Sequence, residues 1–146
     1  MLLNIAIGAA LIFLTTAIHA GGMHLALGSA GDLAEGPSSL WRRNHLIRVG
    51  RVVLIMYLVS IIEVLVWAAV YLLLNAIEGI ERALYFSLVT FTTLGYGDVV
   101  LDSSRRLLAS VEAVNGILMF GWSTAIVIAV VQRVYFRQGF PGHGRH

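Results

Sequence analysis

Three runs of almost unbroken apolar residues, 2–20, 52–74 and 107–133, limit what this chain can fold into. Each is close to the roughly 20 residues an α-helix needs to cross a bilayer. In lipid, every backbone N–H and C=O must find a partner inside the protein, so runs of this kind become helices. The chain is 58% hydrophobic and only 12% charged, and its mean hydropathy is +0.84. Soluble domains carry about 25% charged residues, so the composition excludes an ordinary soluble domain. A cleaved signal peptide is a poor reading of 2–20, because no Lys or Arg precedes the run and Ala17-Ile18-His19-Ala20 is a poor cleavage site. Asn4, Gly8, Thr15 and His19 fall on one stripe of that first helix, which is expected to pack on protein while the rest meets lipid.

Charge sets the expected orientation. All ten basic residues are arginines, and seven of them lie in 28–51 or after residue 132. Only Arg82, Arg105 and Arg106 fall between the second and third runs, among Glu78, Glu81, Asp98 and Asp102. The positive-inside rule puts 28–51 and the C-terminus in the cytoplasm, with the N-terminus and the 75–106 segment outside. The net charge of +2 is no nucleic-acid signal, because the arginines flank apolar runs instead of covering a face. Cysteine is absent, which excludes disulfides and thiolate metal sites. No nucleophile–base set appears either, so an enzyme is not expected.

Glycines at 21, 22, 28, 31 and 36, with Pro37, predict a break after the first span. Trp41, Arg42, Arg43, His45, Arg48 and Arg51 then predict an interfacial amphipathic helix within a cytoplasmic loop 28–51. The expected first span occupies 1–27. Residues 52–137 are expected to form a second unit, with an outer helix 52–75 and an inner helix 106–134, and 138–146 a cytoplasmic tail. Between the two spans, 82–93 is apolar, bounded by charge and too short to cross, which suits a re-entrant half-helix over 83–93.

The stretch Thr92-Thr93-Leu94-Gly95-Tyr96-Gly97-Asp98 follows that half-helix at once. Glycine takes positive φ without steric cost, so Gly95 and Gly97 allow an extended strand to turn successive carbonyls toward one axis. Such carbonyls can replace the hydration shell of a cation. The Thr93 hydroxyl can add oxygens at the inner end, and Asp98 makes the outer mouth attractive to cations. Non-helical backbone at membrane depth is tolerated where it is buried or lines a water-filled path.

Tyr85 to Asp98 resembles the pore helix and selectivity filter of the potassium-channel family, whose usual filter reads T-T-V-G-Y-G-D. The run Gly116 to Ala125 is similar to the inner helix of its two-span bacterial members. The resemblance covers roughly 52–135. It implies an all-α membrane protein of three transmembrane helices plus a re-entrant pore helix and filter loop, homotetrameric around a central pore. It implies a filter at 93–98 with K+ bound by Thr93, Leu94, Gly95, Tyr96 and Gly97, Asp98 at the outer mouth, and Gly116 as a gating hinge. Ala113, Ile117, Phe120, Thr124 and Ile128 share one helical face, taken to line the cavity and gate. The partners implied are K+, the bilayer and three identical subunits. No cofactor beyond bound K+ and no nucleic acid is expected, and the location is a multi-pass cell membrane, compatible with a bacterial inner membrane. A weakly selective cation channel and a non-conducting anchor or sensor are the alternatives. Two departures stand out: Leu94 where the family usually has Val or Ile, and Phe86 where many members have a Trp that bonds the aspartate after the filter.

Two further carboxylates are candidates for modulation. Glu63 lies near the middle of the second span, where a carboxylate is costly and usually functional. Thr15, Thr16 and Ser123 are its expected partners by depth, and it is expected to hold the first span onto the channel. Glu112, Asn115, Met119 and Ser123 form a polar back face on the third helix, opposite the cavity stripe. His19 and His24 are five apart with no partner ligand near, and are expected to be interfacial.

Overall fold

The computed structural model describes the backbone of residues 2–31 and 38–135 and the side chains of 2–29 and 46–133. Among the described residues there are four helices: α1 (Leu2–Gly31), α2 (Ser38–Leu73), α3 (Ile80–Phe91) and α4 (Arg106–Tyr135). Three of them, α1, α2 and α4, are long and apolar enough to cross a membrane. The fold is all-α, and the short α3 sits between α2 and α4, in contact with both.

Several boundaries differ from those read in the sequence, among them the half-helix, which spans Ile80–Phe91 and not 83–93. The glycines at 21, 22 and 28 do not break the first helix, which runs on to Gly31. A glycine inside a helix costs roughly 1 kcal/mol, which packing can offset. At Gly22 a side chain would run into Val59 of α2, so this glycine permits a close helix crossing. The expected loop 28–51 is likewise not separate: 28–31 belong to α1, and 38–51 are the opening turns of α2. The side chains of Trp41, Arg42, Arg43 and His45, and the tail 138–146, lie outside the described residues.

α2 ends at Leu73 by a Schellman motif. Asn75 takes the left-handed conformation (φ 49°) that such a cap requires. Its N–H donates to the Leu72 carbonyl at 3.0 Å, and the Ala76 N–H donates to that of Tyr71 at 2.9 Å. The chain then turns at Gly79, where φ is 88°, and enters α3. One core forms where α2, α3 and α4 meet, around Trp67, Tyr71, Phe86, Phe91 and Leu108. A second, smaller cluster of Ala26, Val52, Met56 and Val130 ties α1, α2 and α4 together at the other end.

α1 is packed along most of its length. Asn4, Leu11, Thr15, His19 and Ala26 are buried on a single stripe. Gly8 and Gly22 fall on the same stripe, where an added Cβ would meet Val111 and Val59. Spacings of three and four residues are those of a left-handed helix seam, in which small residues let the backbones approach. The Asn4 amide donates to the Ser104 carbonyl, so the start of α1 lies at the same end as the start of α4.

Candidate functional site

α3 terminates by a second Schellman motif, and this cap shapes the 93–98 loop. The Thr93 N–H donates to the Thr90 carbonyl at 2.9 Å and the Leu94 N–H to the Val89 carbonyl at 2.9 Å. The Gly95 N–H reaches the same Val89 carbonyl at 3.3 Å. The cap puts Thr93 in the left-handed region with φ 60°, where a β-branched residue is strained. Gly95 (φ 57°) and Gly97 (φ 80°) also have positive φ, while Leu94 and Tyr96 do not. The sign of φ therefore alternates along 93–97. The first three N–H groups of the loop point back at the half-helix. Among the described residues, no hydrogen bond is accepted by the backbone carbonyls of Thr93 to Gly97.

The outer end of the loop is held by Tyr85, whose hydroxyl donates to Asp98 Oδ2 at 2.7 Å. The bond holds the Asp98 carboxyl below its ordinary range. Phe86 lacks the polar group that the resemblance would place there, and the residue before it supplies one. A hollow of about 280 Å³ lies behind the loop, lined by Tyr85, Val89, Gly95, Gly97 and Asp98 among others.

Behind α3, helices α2, α3 and α4 are joined through Glu112, which is fully buried. The Tyr71 hydroxyl of α2 donates to Glu112 Oε2 at 2.6 Å. Ser87 Oγ of α3 lies 2.5 Å from Glu112 Oε1 and 2.9 Å from the Val64 carbonyl of α2. A serine hydroxyl has one hydrogen. Both contacts are hydrogen bonds only when the Glu112 carboxyl carries a proton, donating to Ser87 while Ser87 donates to Val64.

The stripe read as cavity-facing is exposed in the single chain, with Ile117 at 59%, Phe120 at 40% and Ile128 at 50%. Phe120, Thr124 and Ile128 line a hollow of about 430 Å³ together with Thr92, at the end of α3. Phe120 also meets Phe91 edge-on, with ring centres 5.7 Å apart. Gly116 is buried against the end of α3, where an added Cβ would run into the Phe91 carbonyl and lie 2.8 Å from its carbon. The geometry there is a close backbone crossing. At Gly121, one turn further on, an added Cβ would meet nothing within 4 Å.

Glu63 is fully buried, as its depth suggested, but its partner is not among those expected. His19 Nδ1 lies 3.0 Å from Glu63 Oε1, and His19 Nε2 lies 3.3 Å from Ser123 Oγ. His19 is therefore a buried helix-contact residue and not an interfacial one. Spacing along α1 sets His19 only against His24, whereas the carboxylate it meets stands on another helix. Thr15 instead accepts a bond from the Asn115 amide at 2.9 Å. The back face of α4 is as read, with Glu112, Asn115 and Met119 buried.

Three membrane-length helices, two of them packed on a half-helix that ends in an exposed loop, form a multi-pass membrane protein with the layout of the channel class. The family model described as "ion channel" matches residues 59–133, just over half of the chain, and the chain belongs to that family. A 45-residue stretch is 49% identical to Two-pore potassium channel 1 of Arabidopsis thaliana, covering 30% of this chain and 12% of that protein. The chain thus spans a small part of the curated relative it matches. No solved structure matches it. α1 lies wholly outside the matched segment.

Proposed function

We propose that the protein is a potassium-selective channel that conducts K+ passively through the 93–97 loops of four identical chains. The observation that carries this reading is the loop backbone, with φ alternating in sign, its first N–H groups consumed by the half-helix and its carbonyls free. Alternation between right- and left-handed conformations collects N–H groups on one side of a strand. The carbonyls then face the other side, and rings of carbonyls from several chains can replace the water around K+. Thr93, Leu94, Gly95, Tyr96 and Gly97 are the ion-binding residues in this reading, with Asp98 at the outer mouth. No cofactor beyond the permeating K+ is required.

One strand cannot surround an ion. Leu94 is 54% exposed and Tyr96 is 68% exposed in the single chain, so apolar surface at membrane depth is left for neighbouring copies. Ile117, Phe120 and Thr124 would then line the pore beneath the filter, next to the negative end of α3, which favours a cation there. The arginine distribution favours a cytoplasmic C-terminus with the filter opening outward. Reconstitution into liposomes under K+ or Na+ gradients tests the reading. Barium-blocked K+ flux with little Na+ flux is expected, and comparable fluxes of the two ions would sink selectivity.

A further inference from the structure

α1 is not part of the segment that identifies the family, yet it is bonded to the pore unit at three depths. Asn4 reaches Ser104, Thr15 meets Asn115, and His19 meets both Glu63 and Ser123. The deepest of these contacts has a distinctive connectivity. Glu63 stands on α2 and Ser123 on α4, and no hydrogen bond joins them directly among the described residues. They are linked through one imidazole, with Nδ1 turned to the carboxyl and Nε2 to the hydroxyl. The Trp122 ring lies against the same imidazole, 5.3 Å between centres and tilted by 30°. His19 and Glu63 are fully buried. α1 packs against only α2 and α4, and no titratable side chain of α4 bonds His19 among the described residues.

The chain of bonds ends beside a hollow at the end of α3. Ser123 adjoins Thr124 on α4, and Ser123, Phe120, Thr124 and Thr92 line this 430 Å³ hollow, whose wall also includes Met56, Ser60 and Val64 of α2. α4 is thus fixed against α3 at Gly116, where its backbone touches Phe91, and against α1 at Ser123 two turns further on. Between these points lies Gly121, whose position carries no packing constraint within the chain. With Phe120 against Phe91 and Trp122 against His19 on either side of Gly121, the course of α4 there is set by its contacts with α3 and α1.

We propose that His19 is a positioning residue for ion conduction: by holding Glu63 and Ser123 at once it fixes the seat of the inner helix, and α1 is the element through which the conducting state is controlled. The inference rests on the channel reading above. It requires energetic coupling between two residues that do not touch, because the effect of each runs through the same ring.

The experiment is a cycle of flux measurements on full-length protein in liposomes, with Glu63→Leu, Ser123→Ala and the double variant. Each single change is expected to alter K+ flux by on the order of fivefold, the scale of a weak site-to-site coupling. The double variant should match a single one instead of their product, and the coupling should vanish in a His19→Phe background. Glu63→Gln, whose amide can still bond Nδ1, should restore wild-type flux. Should Glu63→Leu fail to assemble, Ser123→Ala against His19→Phe forms an equivalent cycle, in which Phe keeps the ring against Trp122. Multiplicative effects, or a Glu63→Gln channel behaving like Glu63→Leu, would overturn the proposal while leaving the channel reading intact. A wild-type protein that passes no ions would remove both.

Discussion

The Tyr85 hydroxyl donates to Asp98 Oδ2 at 2.7 Å, so the middle of the half-helix is tied to the far end of the loop it introduces. The two residues are thirteen apart, and the bond closes a loop whose inner end is fixed by the α3 cap. The 93–97 backbone is held at both ends by groups of its own chain.

This bond sets how the outer mouth responds to acid. Asp98 is held below its ordinary range, first by the Tyr85 hydrogen bond. A carboxyl lowered in the folded state adds stability above its unfolded value and loses that contribution as pH falls through the folded one. K+ flux should therefore withstand external acidification past the ordinary carboxylate range. In Tyr85→Phe the acid-induced loss should begin at higher pH. Flux against external pH in oriented liposomes measures this, and superimposable wild-type and Tyr85→Phe curves would refute it.

Thr93 carries strain of order 1–3 kcal/mol, because a β-branched residue occupies the left-handed position of the cap. Its hydroxyl and its backbone geometry can be separated by substitution. Thr93→Ser keeps the hydroxyl and removes the branch, so it should conduct K+ and raise thermal stability in detergent. Thr93→Val keeps the branch and the strain but loses the hydroxyl, and should lower K+ flux without lowering stability. Unchanged K+ flux in Thr93→Val would remove the hydroxyl from the ion path.

Much of this is legible in the sequence, for reasons that differ by residue. The spans and the half-helix followed from apolar length and charge, which a bilayer reads almost directly. Gly95 and Gly97 announced positive φ by composition, but nothing in the sequence marks Thr93 as left-handed, since the α3 cap imposes it. The back face of α4 was readable because a helix repeats every 3.6 residues. The bond from His19 to Glu63 was not, because spacing along one helix does not fix its rotation and depth against another. Gly22 looked like a breaker because a glycine's local cost can be read from sequence, whereas its gain in close packing against Val59 cannot.

Gly116 and Gly121 should differ sharply on substitution. A methyl at 116 would collide with the Phe91 carbonyl, a backbone atom that cannot move aside like a flexible side chain. Gly116→Ala should cost about 3 kcal/mol or more, at or above the upper end of overpacking costs, and leave little folded protein. Gly121→Ala meets nothing within 4 Å in the chain, and should be neutral or gain up to about 1 kcal/mol of helix stability. Thermal unfolding of the two variants in detergent decides it. Equal midpoints would mean that the α3–α4 crossing is looser than the geometry requires.

Glu112 offers the sharpest test of how the pore unit is joined. Its carboxyl faces Tyr71 at 2.6 Å and Ser87 at 2.5 Å, and Ser87 has a second acceptor in the Val64 carbonyl at 2.9 Å. With one serine hydrogen available, the set is complete when residue 112 accepts from Tyr71 and donates to Ser87. Glutamine can do both, its amide N–H replacing the acid O–H. Glu112→Gln should therefore fold within about 1 kcal/mol of wild type and keep its K+ flux, since neutral amide and neutral acid make similar bonds. Glu112→Ala would strand the Tyr71 hydroxyl and break the chain through Ser87, at about 1–3 kcal/mol for each buried group left unpaired. Because Ser87 lies on the half-helix that carries the loop, Glu112→Ala should also weaken discrimination between K+ and Na+. Paired measurements of thermal stability and K+/Na+ flux ratio check both parts. If Glu112→Gln proved as damaging as Glu112→Ala, the carboxyl would have to act as an ion, accepting from Tyr71 and Ser87 alike, and the bond from Ser87 to Val64 would be lost.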